Sequence, residues 1–67
     1  MDKATELAIR AIVRGLYHTD AIDAAQVRGV CAALKDAAGA AQERYEPEDA
    51  KAILTLCKGI KLDTAVS

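Results

Sequence analysis

The stretch CAALKDAAGAAQ, Cys31–Gln42, holds six alanines and a glycine in twelve residues, with Leu34 its one large apolar side chain. Whether it is one helix or two decides the fold. Read as unbroken, it belongs to a long element that places Val27, Val30, Cys31, Leu34, Ala38, Ala41 and Tyr45 within an arc of about 100°. Read with Gly39 as a C-terminal cap, the same residues divide into shorter pieces. Ala41 and Tyr45 keep the phase of the stripe beyond the glycine, so a continuous helix over about 24–44 is expected, with Tyr45 extending its core face.

Working outward, Asp23 followed by Gln26 reads as a capping box, with Ile22 in position to staple against Val27. Upstream, Thr5, Ile9, Ile12, Val13 and Leu16 recur at helical spacing and predict a first helix over about 3–17, with Glu6 and Arg10 as an i,i+4 pair. Downstream, Pro47 suits the first position of a helix. Glu48 and Asp49 follow where the helix dipole favours negative charge, and Lys58 and Lys61 fall near the far end. A third helix is expected over about 48–62, with Ala50, Ile53, Leu56, Cys57 and Ile60 inward. Residues 63–67, DTAVS, have nothing in the sequence to hold them and read as a frayed tail. No strand-like alternation occurs, so the fold class is all-α: one small three-helix domain over 1–67 with a long central helix.

The chain has 67 residues, 52% of them apolar, yet much of that share is alanine and there is no Trp or Phe. A domain of this size buries only about 60% of the surface its unfolded chain exposes, and alanine adds little to that. A thin core favours assembly, and a symmetric homodimer is the expected form. The pattern apolar, basic, glycine, apolar recurs at Val13–Leu16, Val27–Val30 and Cys57–Ile60. Glycine costs about 1 kcal/mol against alanine inside a helix, so the copies suggest close helix crossings, the alternative being chance recurrence of a short pattern in a chain rich in small residues. As a phosphate-cradling loop the pattern fails, because each copy lies within a helix and lacks the strand and spacing required.

Net charge is −1 and the isoelectric point about 5.7. Arg10, Arg14 and Arg28 lie early and Glu43, Glu46, Glu48 and Asp49 later, a separation that favours head-to-tail matching over attraction to DNA. A helix-turn-helix reading would cast Gln26, Arg28 and Lys35 as base readers, but that helix is too apolar, Asp36 and Glu43 interrupt its polar side, and no basic cluster is expected around it. DNA binding is therefore the alternative, alongside a structural assembly subunit.

Residues capable of chemistry have simpler uses. His18, Asp20 and Asp23 fall in one turn, yet a metal site needs further donors to complete it, and capping explains them. Cys31 and Cys57 both lie on apolar stripes, where a thiol behaves as a small hydrophobe. Their separation leaves a disulfide geometrically open, while the absence of a C-x-x-C pair or a leader-like segment favours a reducing, cytoplasmic setting. No run approaches the roughly 18 apolar residues of a membrane span. Ser67 is the only serine, and three helices enclose little volume for a cleft. An enzyme is not expected, nor a cofactor or bound metal.

What remains is contact with protein. Ala25, Gly29, Ala32 and Gly39 form a small-residue track on the side of the central helix away from Leu34, suited to close approach by a second copy, with Glu43 near its Arg28 or Lys35. Leu7, off the inward face of the first helix, and Arg10, Arg14, Tyr17 and Tyr45, of types enriched at interfaces, are the expected contacts with a partner. The function expected is that of a small regulator, an inhibitor or anti-activator that occupies a surface of a larger protein such as a transcription factor.

Overall fold

A computed structural model describes all residues, 1–67, as three helices and no strand: α1 (Lys3–His18), α2 (Ala24–Glu43) and α3 (Pro47–Thr64). Each helix begins where local chemistry permits. Asp2 accepts from the Thr5 N–H at 2.7 Å to cap α1. Asp23 and Gln26 form the reciprocal capping box of α2, both bonds at 2.8 Å. Pro47 opens α3 without a side-chain cap, its missing N–H costing nothing there.

The first two helices end in the same way. Asp20 and Tyr45 take left-handed backbone, at φ 63° and φ 60°. The next N–H then folds back, Ala21 onto the Leu16 carbonyl and Glu46 onto the Ala41 carbonyl, both at 2.9 Å. These are Schellman closures, built with Asp and Tyr where glycine is usual. The second corrects the expected role of Tyr45. Its side chain does not extend the core stripe of α2 but is 93% exposed beyond the helix end, because the left-handed turn that precedes Pro47 breaks the phase. Gly39, by contrast, lies inside an uninterrupted helix.

α2 and α3 form an antiparallel hairpin with two stretches of core. Ala38, Ala41 and Ala50 meet near the connection, and Cys31 meets Cys57 farther along. α1 lies alongside α3 in the same direction, with Met1 by Ile53 and Arg10 by Gly59 and Asp63. It leans on α3 and only slightly on α2. The Cα framework measures 37 × 24 × 15 Å. Val27, Leu56 and Ile60 are its fully buried large side chains, each contributing about 1.5–3 kcal/mol of burial.

Three assignments to the inward side of α1 need correction, Thr5, Ile12 and Leu16, all of them exposed. Val13 is buried and Ile9 half-buried, but Ile12 is 62% exposed and Leu16 is also exposed. α1 presents Ile9, Val13 and Tyr17 to the core and Arg10 to Asp63, an orientation that leaves the Ile12 flank turned to solvent. Val30, on the facing flank of α2, is likewise exposed. The tail is also different from expectation. α3 continues to Thr64, whose hydroxyl donates to the Ile60 carbonyl at 2.8 Å, and Val66 packs into the main core. The residues from Asp63 onward are tied down by an ion pair and a buried valine rather than frayed.

Candidate functional site

The most constrained polar group of the molecule holds α1 to the last turn of α3. Arg10 donates from Nε to Asp63 Oδ2 at 2.9 Å and from Nη2 to Oδ1 at 2.8 Å, a two-pronged pair of good geometry. Glu6 stands 3.6 Å from the same guanidinium and Arg14 3.9 Å from the same carboxylate. The hydrogen bond from Arg10 holds the Asp63 carboxyl below its ordinary range; partial burial opposes this and the charges of Arg10 and Arg14 add to it. Arg10 is therefore committed within the chain, and Arg14 leans on the same carboxylate while remaining half-exposed.

Of the three recurring glycines, one sits at a close approach. A Cβ on Gly59 would lie 2.6 Å from Arg10 Nε, whereas one on Gly15 or Gly29 would meet nothing within 4 Å. Close approach is thus found at the copy in α3, and the copies in α1 and α2 fit chance recurrence. Gly29 and Gly39, with Ala25 and Ala32, lie exposed along the outward side of α2.

Tyr17 is half-buried against the core, with its ring edge-on to His18 at 5.5 Å. Leu7 is exposed. The thiols of Cys31 and Cys57 are free and buried, with Cys57 Sγ 3.9 Å from the Cys31 carbonyl. Burial pushes the Cys31 thiol up, the contact with Cys57 adds to this, and Lys61 and Lys35 oppose it. That is the setting of inert structural thiols rather than of a nucleophile. No three His, Cys, Asp or Glu side chains converge as ligands of a metal would.

Two surfaces are left with unpartnered side chains. The first is a groove between α1 and α2. At about 100° per residue, Ile12 and Leu16 lie on the opposite flank of α1 from Arg10, which faces α3, and Val30 and Leu34 lie on the opposite flank of α2 from Arg28. Half-buried Ile9, Leu34 and Ile53 continue this surface into the core. The residues flanking it, Thr5, Ala8 and Gly15 on α1 and Gln26, Ala33 and Ala37 on α2, carry no charge. A separate depression of 430 Å³ lies near the α2–α3 connection, where Met1, Ala37, Ala41 and Ile53 are joined by the charged Arg44, Glu46 and Asp49.

The second surface lies on the other side of the α2–α3 hairpin, where Arg28 and Lys35 of α2 meet Lys58 and Lys61 of α3 around two depressions that share Lys61. This corrects the expectation that no basic cluster surrounds α2: its members lie up to 33 positions apart in the sequence, and the antiparallel hairpin brings them together. No helix of the chain is long and apolar enough to cross a membrane. Comparison with protein-family models, curated proteins and solved structures finds no match to the chain.

Proposed function

We propose that the protein is a small non-enzymatic regulator that works as a homodimer by occupying a surface of a larger protein, such as a transcription factor. The observation that carries this reading is the exposure of three large apolar side chains, Ile12, Leu16 and Val30, on the flanks of α1 and α2 that also carry the half-buried Ile9 and Leu34. Single exposed apolar residues are ordinary, but several large ones grouped on two neighbouring helix flanks point to a contact site. The apolar face of a partner's helix is the occupant proposed for it. Tyr45 supports the same reading: a bulky aromatic held in left-handed backbone, where glycine is cheaper, and turned fully to solvent makes no contact within the chain that explains it.

Self-association uses the outward side of α2. Open space above Gly29 and Gly39 lets a second copy's helix approach closely along Ala25, Gly29, Ala32 and Gly39. The deciding experiment is affinity capture from a native lysate with wild type and an Ile12→Ser/Leu16→Ser variant shown by circular dichroism to be folded. A protein retained by wild type and lost by the variant supports the proposal. Capture of the same proteins by both overturns it. In parallel, Ala32→Leu is expected to shift sedimentation from dimer to monomer.

A further inference from the structure

The basic side of the α2–α3 hairpin has a composition that names its occupant. Arg28, Lys35 and Lys61, with Cys31, Ala32 and Ser67, line a depression of 200 Å³. Lys58, Lys61, Leu62 and Val66 line an adjoining one of 550 Å³. Every ion pair within 4 Å in the molecule belongs to Lys3, Arg10, Arg14 or Arg44, so none of these four cations has a carboxylate partner. Interleaved with them along α3 at i,i+3 and i,i+4 spacing are Leu54, which is exposed, and Leu62, which is 80% exposed. Four unpaired cations on a chain of net charge −1 are a local concentration of charge. Two leucines among them are what a plain polyanion site would omit.

We infer that this face binds an acidic amphipathic segment of another protein, one whose carboxylates alternate with large apolar side chains. The cations steer and register such a segment, and Leu54 and Leu62 supply the apolar contacts that give it affinity. A nucleic-acid backbone would satisfy the cations but leave the leucines facing phosphate. A second copy is a poorer occupant: Glu48 and Asp49 already sit at the N-terminus of α3 and Glu46 already pairs with Arg44 at 3.5 Å, while its Glu43, expected near Arg28 or Lys35 in the dimer, competes only for those two cations of α2 and not for Lys58 and Lys61 of α3. The inference rests on the reading that the chain works by binding protein, but uses a different face from the groove. Ala32 lies at the edge of both this face and the outward side of α2, so segment and second copy compete for it.

The test is fluorescence anisotropy with three labelled probes: an acidic peptide with interleaved leucines, the same peptide with every leucine replaced by serine, and a short DNA duplex. Wild type is expected to bind the leucine-containing peptide at least tenfold more tightly than the other two. Lys58→Glu/Lys61→Glu is expected to weaken this about tenfold or more and Leu62→Ser several-fold, while Ile12→Ser leaves it unchanged. These positions are exposed or at the rim, and circular dichroism checks that each variant is folded. Equal binding of the serine peptide or the duplex overturns the inference, as does failure of the leucine peptide to bind or insensitivity to Lys58→Glu/Lys61→Glu. So does loss of self-association in that variant by sedimentation, which would make a second copy the occupant. If the peptide fails while Ile12→Ser/Leu16→Ser still abolishes capture of a lysate partner, this face is excluded and the groove stands; the opposite pair of results excludes the groove alone.

Discussion

Arg10 crosses directly over Gly59 on its way to Asp63, with Nε 2.6 Å and Cδ 2.7 Å from where a Cβ of Gly59 would stand. The glycine is the space through which the ion pair is made. In most helix interiors replacing glycine by alanine gains up to about 1 kcal/mol. Gly59→Ala is expected to reverse that sign, because the methyl group displaces a guanidinium held by two hydrogen bonds. Gly15→Ala, at an open position of the same local pattern, is expected to stabilise by about 0.5–1 kcal/mol. Urea unfolding of the two variants side by side checks the contrast, and equal shifts would refute it.

Asp63 gives the fold an acid-sensitive joint. Its carboxyl is held below the ordinary range by Arg10, so its contribution is fully present above the usual carboxylate pKa of about 3.9 and fades as pH falls through the lower folded value. Asp63→Asn is expected to be less stable than wild type at pH 7. The two stability curves should approach each other in strong acid. Asp2, lowered by the Thr5 backbone N–H, adds acid sensitivity of the same sign, so the variant keeps part of the slope. A constant gap between the curves from pH 7 to pH 2 would rule out this assignment.

At the end of α2, Tyr45 occupies a backbone region that disfavours a side chain by roughly 1–2 kcal/mol. Since that side chain is almost wholly exposed, Tyr45→Gly is expected to raise stability by about 0.5–1 kcal/mol, after allowance for the greater freedom of glycine in the unfolded chain. Thermal unfolding decides the sign. If Tyr45 serves a partner, the more stable variant should bind less well.

In the core, Ile60→Ala is expected to cost about 2–4 kcal/mol, enough to leave so small a domain largely unfolded at 25 °C. The thiols provide an independent reading. Cys31 and Cys57 are buried, so a thiol reagent at neutral pH should modify them on the order of a hundredfold more slowly in wild type than in urea. Rapid labelling of both in the native state would contradict their placement.

Helix positions were legible because their signals are local: Asp23 with Gln26, Pro47 with its following acids, and apolar residues at helical spacing. The continuity through Gly39 was legible for the same reason. What the sequence concealed was relative placement. Periodicity identifies Ile12 and Leu16 as part of an apolar stripe, but which part of it is covered depends on how α1 docks, and the pair that marks that docking joins Arg10 to a carboxylate 53 positions away. Asp63 and Val66 looked unheld for that reason too. Tyr45 kept the arithmetic phase of α2 although the turn before Pro47 had already left the helix. The groove and the basic face are products of three helices meeting, and no single segment announces them.

Because α1 rests on α3 and scarcely touches α2, the molecule has two tiers of cohesion. Ile9, Val13, Tyr17 and the Arg10 pair clip α1 onto a hairpin whose own contacts, from Ala41 and Ala50 to the paired thiols, do not depend on it. Lifting the clip would pivot at Thr19–Asp23 and expose Leu56 and Ile60 in one motion. The amides of α1 should therefore exchange with solvent ahead of those in the hairpin. A partner that prised α1 away would gain a far larger greasy landing site than the closed molecule displays.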